Sequence, residues 1–372
     1  MLNDLASVGQ TKGTVFVLPP VAIQTSLAAS EQRDRTPGLA QTNARRLVWL
    51  LLALGVLVAV AVASVAIGSK DIPVRTVFHA LFAYDDSNDH AIIQTLRVPR
   101  TIMGLVVGAA LGVAGALIQA LSRNPLADPG ILGVNAGAAF FVVLSVGLFG
   151  FTAVQGYIWF AFLGAIVTTI VVYAVGSAGR AGAIPVRLTL SGVAIGSVLS
   201  GISAGITLLN PTIFDRMRQW GAGSLVAPGY ETLMVIGPFI ALGVLLAFLV
   251  ARPLNAMAMG DDLASALGAN IIRTRVLVVI ATTLLAGAAT AAAGPIGFIG
   301  LMIPHVARWI VGPDQRWILL FTIILSPVLL LSADIVGRIA MRPGELQVGI
   351  VTAFVGAPVL IALARRRRVS GL

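Results

Sequence analysis

Apolar residues in this chain come in long runs, not in the alternating or three-to-four spacing of a fold that faces water. A helix needs about 20 apolar residues to cross the ~30 Å hydrocarbon core of a bilayer. Runs of about that length occur at 47–68, 101–121, 131–149, 156–176, 188–209, 233–251, 276–293, 296–311, 317–335 and 347–364. They predict an all-α membrane protein with about ten transmembrane helices. The run 131–149 is short, and 276–311 reads either as one long span or as two. The break is placed at Gly294-Pro295, because proline cannot continue a helix and glycine favours a turn. Residues 1–44 are polar and aperiodic and contain Pro19, Pro20 and Pro37. They read as a flexible tail ahead of a transmembrane domain at 45–372. They are no signal peptide, since the first long apolar run begins too late.

Composition supports the pattern. Of the 372 residues, 58% are hydrophobic and only 11% charged, with a mean hydropathy of +0.96; a soluble domain carries about 25% charged residues. The absence of cysteine excludes disulfides, thiolate metal sites and cysteine nucleophiles.

Charge sets an expected orientation. With an even number of spans both termini share a side. If that side is the cytoplasm, 17 of the 25 basic residues lie inside and 8 outside, while the 15 acids divide 7 and 8. The whole +10 net charge then falls on the inner face, as the positive-inside rule requires. The basic residues are spread along loops and form no single patch, which argues against a nucleic-acid partner.

The expected spans hold no ionisable residue well inside them; Asp334 and His305 are expected near span ends. Intramembrane charges mark proton relays and ion sites, so this pattern argues against proton coupling. The P-loop pattern is absent and neither lysine, Lys12 nor Lys70, lies in a glycine-rich loop, so ATP has no phosphate cradle here. A lone histidine, His305, makes no metal site, since zinc takes three or four ligands. No nucleophile–base pair suggests a membrane enzyme. Gly104, Gly108 and Gly112, with Gly115 close by, repeat on one helix face and predict close helix packing. Asn124-Pro125 and Asp128-Pro129 read as a tight turn.

Two groups of polar residues stand out. In the loop 252–275, Asp261 and Asp262 follow Gly260 and can cap a short helix. Leu263, Ala266 and Leu267 give that helix an apolar face, and Gly268 is placed to stop it. The face lies on the lipid surface, on the bundle or on a partner. On the expected outer side, Arg97 and Arg100 are three apart and share a helix face if the helix starts there. Outer arginines of this kind commonly snorkel at the membrane interface.

Several separated stretches, in order, carry a family resemblance: RVPRTIMGLVVGAALGVAGALIQALSRNPLADPGILG at 97–133, LNAMAMGDDLASALGANI at 254–271, GPIGFIGLMIPHVAR at 294–308, ADIVGR at 333–338 and ELQVGIVTAFVGAPVLI at 345–361. Over about 45–365 the chain resembles the FecCD-type permeases, the membrane subunits of ABC importers for ferric siderophores, haem and cobalamin. The resemblance implies a type II importer permease bundle of ten spans with an inverted pseudo-repeat, in a bacterial inner membrane. It implies a second permease subunit, two cytoplasmic ATPase subunits that hold the ATP and magnesium, and an extracytoplasmic binding protein; no cofactor is expected on this chain. It makes Gly260, Asp261, Asp262, Ala264, Leu267 and Gly268 the element that couples to the ATPase. It makes Arg97, Arg100 and Arg338 docking residues for acidic groups of the binding protein. Pro185 and Val186 align with the inner gate, where the family often carries small hydroxyl residues, a departure in this chain. The segment Trp220 to Leu225, with Gly223-Ser224, resembles the family's outer loop before the sixth span. The expected function is a permease for an iron chelate, with cobalamin or haem as the alternative cargo and a secondary transporter or channel as the alternative class. Adjacent ATPase and binding-protein genes would exclude the last.

Overall fold

Each of the ten apolar runs forms a helix in the computed structural model, which describes residues 38–40, 42–151, 153–178, 185–226 and 229–365. Most of the 1–44 tail, part of the 177–187 loop and Arg366, Arg367 and Arg368 lie outside the described residues. Helix α1 is Asn43–Ala66. Two short helices follow, α2 (Val74–Phe82) and α3 (Asn88–Ile92), and α3 runs through a π turn at Ile93–Arg97 into α4 (Val98–Ser122). Then come α5 (Val134–Phe149), α6 (Val154–Ser177), α7 (Pro185–Leu209), the short α8 (Pro211–Trp220) and α9 (Gly229–Met257). The remainder is α10 (Asp261–Ala266), α11 (Ile271–Ala293), α12 (Ile299–Val311), α13 (Gln315–Ala340) and α14 (Val348–Arg365). Among the described residues seven helices are long and apolar enough to cross a membrane, α3 and α4 counting as one, and the shorter apolar helices α5, α12 and α14 bring the number to ten.

Polar caps carry several helices beyond their apolar runs. Thr42 accepts the Arg45 N–H at the start of α1, Asn270 the Arg273 N–H at α11 and Asp314 the Arg316 N–H at α13, each satisfying a donor that the helix leaves open. At the start of α8, Asn210 accepts from Thr212 and Ile213 ahead of an N-terminal Pro211. The π turn has a steric cause. Pro99 has no N–H to give the carbonyl of Thr95, and its ring crowds that carbonyl, so the turn before it widens.

The end of the bundle where α1 begins is called here the near end, the opposite one the far end. Residues 38–40, within the stretch read as tail, are built into the near end. The Leu39 and Ala40 N–H groups donate to the Trp309 and Ile310 carbonyls at 3.0 and 2.8 Å. The Arg46 guanidinium lies over the Trp317 ring, 5.6 Å from its centroid.

Helices α4 and α11 form the centre. Burial covers 78% of the most apolar stretch of each, against 11% in α1 and α7, whose open flanks are apolar (Leu51, Leu52, Val193, Val198). The glycine face of α4 explains how the centre closes. A Cβ on Gly108 would lie 2.7 Å from the Pro327 Cα, and those on Gly112 and Gly115 would collide with Ser326 and with the Gly300 backbone. Here α4 meets α13 and α12 backbone to backbone, as small residues permit.

Part of the non-helical stretch after α8 is buried too. Leu225 is fully enclosed, the Ser224 N–H donates to the Ala293 carbonyl at 2.7 Å, and the Gly349 N–H donates to the Gly223 carbonyl at 3.1 Å. Backbone away from a helix is tolerated in a membrane protein where other protein groups satisfy it.

Asp334 lies in the last two turns of α13, which continues to Ala340, and it is fully buried there, with its charge paired inside the bundle.

Candidate functional site

Ion clusters occupy both ends of the central helix α4. At the far end Asp334 accepts from two guanidiniums. Arg100 reaches it through Nε and Nη2, the latter at 2.7 Å, and Arg338 through Nε at 3.0 Å and also through Nη2. Arg100 Nη1 donates to Glu345 at 2.7 Å. The spare donors turn to the end of α1: Arg338 Nη1 reaches the Ser64 and Ile67 carbonyls at 2.7 and 2.9 Å, and Arg97 Nη1 the Val65 and Ala66 carbonyls at 3.1 and 2.7 Å. Helix C-termini leave such carbonyls open, and cations favour that end of the dipole. The structure brings Arg97, Arg100 and Arg338, the three arginines that the resemblance names, together from distant segments. It also shows what the sequence does not: all three are buried, and their donors are engaged within the chain. The pairs Lys70–Asp89 and Arg342–Asp71 lie on the rim of the far end at 2.6 and 2.9 Å.

At the near end the loop 252–275 forms the short helix α10. Gly260 precedes it at φ +112°, and Gly268 follows in the left-handed region at φ +83°, where glycine alone is unstrained. The two carboxylates lie in the first turn and neither is the N-cap, which is Gly260. Ala264 is buried against the bundle, while Leu263, Leu267 and Met259 stand exposed, Leu267 by 62%. The apolar face predicted for this helix is therefore open. Asp261 is held from two sides, by Arg275 of α11 at 2.6 Å and by Arg123 at the end of α4.

The turn between α4 and α5 forms as read. Asn124 accepts the Leu126 N–H at 3.0 Å and Asp128 the Gly130 N–H at 2.8 Å. Burial raises the Asp128 carboxyl above its ordinary pKa, against that hydrogen bond.

His305 and Arg308 are buried in the last two turns of α12. Arg308 donates through Nη2 to Gln119 at 2.6 Å, and Gln119 in turn donates to the Gly300 and Leu301 carbonyls at 3.2 and 3.1 Å. At the start of α7, Val186 is 65% exposed, and Pro185 opens the helix. Among the described residues no three His, Cys, Asp or Glu side chains gather as metal ligands do.

Sequence reasoning did not single out Arg123, Arg275, Asp334, Glu345 or Gln119 as site residues. The signal available was a charge at each helix end; the pairings, such as Arg100 with Asp334 across 234 positions, are tertiary.

A bundle of ten apolar helices with a charged clasp at one end and a short helix with exposed leucines at the other defines a polytopic membrane protein. The family model of the FecCD transport family matches residues 56–366. The chain belongs to the FecCD transport family, and it is thus a membrane transport subunit of the ABC type and not by itself a catalyst. It is 48% identical over 333 residues to the ferric enterobactin transport system permease protein FepD of Escherichia coli (strain K12), covering 90% of this chain and 98% of that one. To the Fe(3+)-citrate import system permease protein YfmD of Bacillus subtilis (strain 168) it is 38% identical, over 88% of this chain and 97% of that one. To the hemin transport system permease protein HmuU of Yersinia pestis it is 34% identical, over 84% and 93%. Its fold is similar to that of a metal-chelate type ABC transporter solved in an inward-facing conformation, with a TM-score of 0.73 and 26% identity over 85% of this chain and 98% of that one.

Proposed function

We propose that this chain forms the translocation pathway for a ferric siderophore in a bacterial inner membrane, working with a second permease subunit, two ATPase subunits and an extracytoplasmic binding protein. The observation that carries the cargo is the 48% identity to a ferric enterobactin permease over nearly the full length of both chains. ATP and magnesium belong to the ATPase subunits in this reading, and the near end is cytoplasmic, as the arginine asymmetry requires.

The open apolar side of α10, with Leu263 and Leu267, is the seat for the ATPase. The far-end arginine cluster is the seat for the binding protein. Arg100 and Arg338 both bond to Asp334, and Arg100 also to Glu345, while Arg97 donates to the backbone carbonyls of Val65, Ala66 and Lys70, so the three guanidiniums carry one positive charge more than those two acids. Of the two acids Glu345 is the more exposed, its side chain at 27% against 0% for Asp334. An incoming acid of the binding protein exchanges with Glu345 and leaves the buried pair in place. Such pairs set orientation and association rate and are sensitive to salt.

Uptake by proteoliposomes containing the complete complex tests the cargo. Iron-55 from ferric enterobactin should accumulate in an ATP-dependent way, while hemin and cobalamin should not. Accumulation of hemin in preference to the ferric chelate would transfer the assignment to the class of the Yersinia pestis relative.

A further inference from the structure

Arg123 stands out by its backbone. It closes α4 at φ 49° and ψ 32°, in the left-handed region. That position at a helix C-terminus usually belongs to glycine or asparagine, and a side chain with a Cβ is strained there. Among the described residues only two other non-glycine residues share a positive φ, Asp86 and Phe298. The strained residue aims its guanidinium at Asp261, the first residue of α10, and the other oxygen of that carboxylate is held by Arg275 at 2.6 Å. Asp261 thus ties α10 to two helices at once: α11, its chain neighbour, and α4, which is remote in sequence and lies at the centre of the bundle.

We propose that Arg123 is a positioning residue that hands movements of α10 to α4, so that the Arg123–Asp261–Arg275 bridge transmits the ATPase stroke into the membrane. This inference rests on the reading of α10 as the ATPase seat. The physical argument is one of stiffness. A six-residue helix flanked by glycines at 260 and 268 can pivot on its own hinges, and Ala264 is its single buried side chain. An ATPase moving it would spend that motion in the hinges unless a lateral tie engaged the core. The tie ends on α4, which is packed backbone to backbone against α12 and α13 through Gly108 and Gly115 and so moves as a rigid strut.

The strain makes the test sharp. Arg123→Gly removes the tie and relieves the backbone, so the purified chain should be as thermostable as the parent or more so. In the reconstituted importer, the ATPase subunits should still co-purify and hydrolyse ATP. Ferric enterobactin transported per ATP should fall at least several-fold. Arg275→Gln should act in the same direction. Because the chain has no cysteine, Arg123→Cys with Asp261→Cys, joined by a bifunctional maleimide, offers a covalent replacement that should restore transport per ATP. An unchanged transport ratio in Arg123→Gly overturns the proposal and leaves the ATPase seat standing. Loss of the ATPase subunits from Arg123→Gly also overturns it, since Arg123 would then be a contact of the partner. If the ATPase fails to bind the unaltered chain, the reading of α10 falls and this inference with it.

Discussion

Arg338 makes the densest set of polar contacts in the far-end cluster: the Asp334 carboxylate, the Ser64 hydroxyl at 2.9 Å and the Ser64 and Ile67 carbonyls. A planar fork of five donors suits that set, whereas a lysine ammonium is a point charge with three. Truncation leaves buried acceptors unmet and Asp334 with a single counter-ion. Removing one member of a buried ion pair costs about 3–5 kcal/mol. Arg338→Ala should therefore lower the melting temperature of the detergent-solubilised chain markedly, and Arg338→Lys should recover little of the loss. A lysine variant as stable as the parent would show that charge alone is needed. The resemblance carried by the stretches at 97–133 and 333–338 named the three arginines that the structure brings together. That they are buried was not legible in the sequence, because burial depends on Asp334, which the sequence presents as a polar residue near a span end.

At the scale of elements, glycines divide into those that permit contact and those that permit nothing in particular. Gly108 on α4 would place a Cβ 2.7 Å from backbone atoms of Pro327, whereas Gly55 on α1 has no neighbour within 4 Å. Overpacking costs about 1–3 kcal/mol, and replacing glycine by alanine in an unhindered helix interior gains about 0.5–1 kcal/mol. Gly108→Val should thus destabilise the bundle and Gly55→Ala stabilise it slightly, as read from thermal unfolding of the purified chain. The helix α10 gives a different prediction. Leu267→Asp puts a charge on the exposed apolar side without touching Ala264, so the ATPase should be lost on purification while the bundle keeps its melting temperature. Retention of the ATPase at full transport rate would remove the seat from α10. The glycine ladder and the limits of α10 were both readable, since Gly260 and Gly268 bracket it. The short helices α2 and α8 were not, because nine or ten residues with mixed polarity resemble a loop until the bundle gives them a surface.

Across the whole molecule, the ten apolar runs were readable because a bilayer leaves a helix no other way to satisfy its backbone. The boundaries moved outward wherever a polar cap extended a helix, as Thr42 and Asp314 do. Sidedness is open to a direct check in a chain without cysteine. Ser265→Cys, at the near end, should react only with reagents that reach the cytoplasm, and Asn88→Cys, at the far end, with impermeant reagents added to intact cells; the opposite pattern would invert the topology. The buried Asp334 also bears on how the protein is made. Arg100 emerges from the ribosome 234 positions ahead of the acid that neutralises it, so during synthesis the base waits at the membrane surface for a partner still being translated. A chain cut off after Gly312 is held in that waiting state, with Arg100 lacking both Asp334 and Glu345. Arg100→Leu should lengthen the lifetime of such a truncated chain in pulse–chase experiments and shorten that of the complete one. The same arginine is then a burden on the nascent protein and a clasp on the finished one, which gives membrane quality control a charge by which to tell them apart.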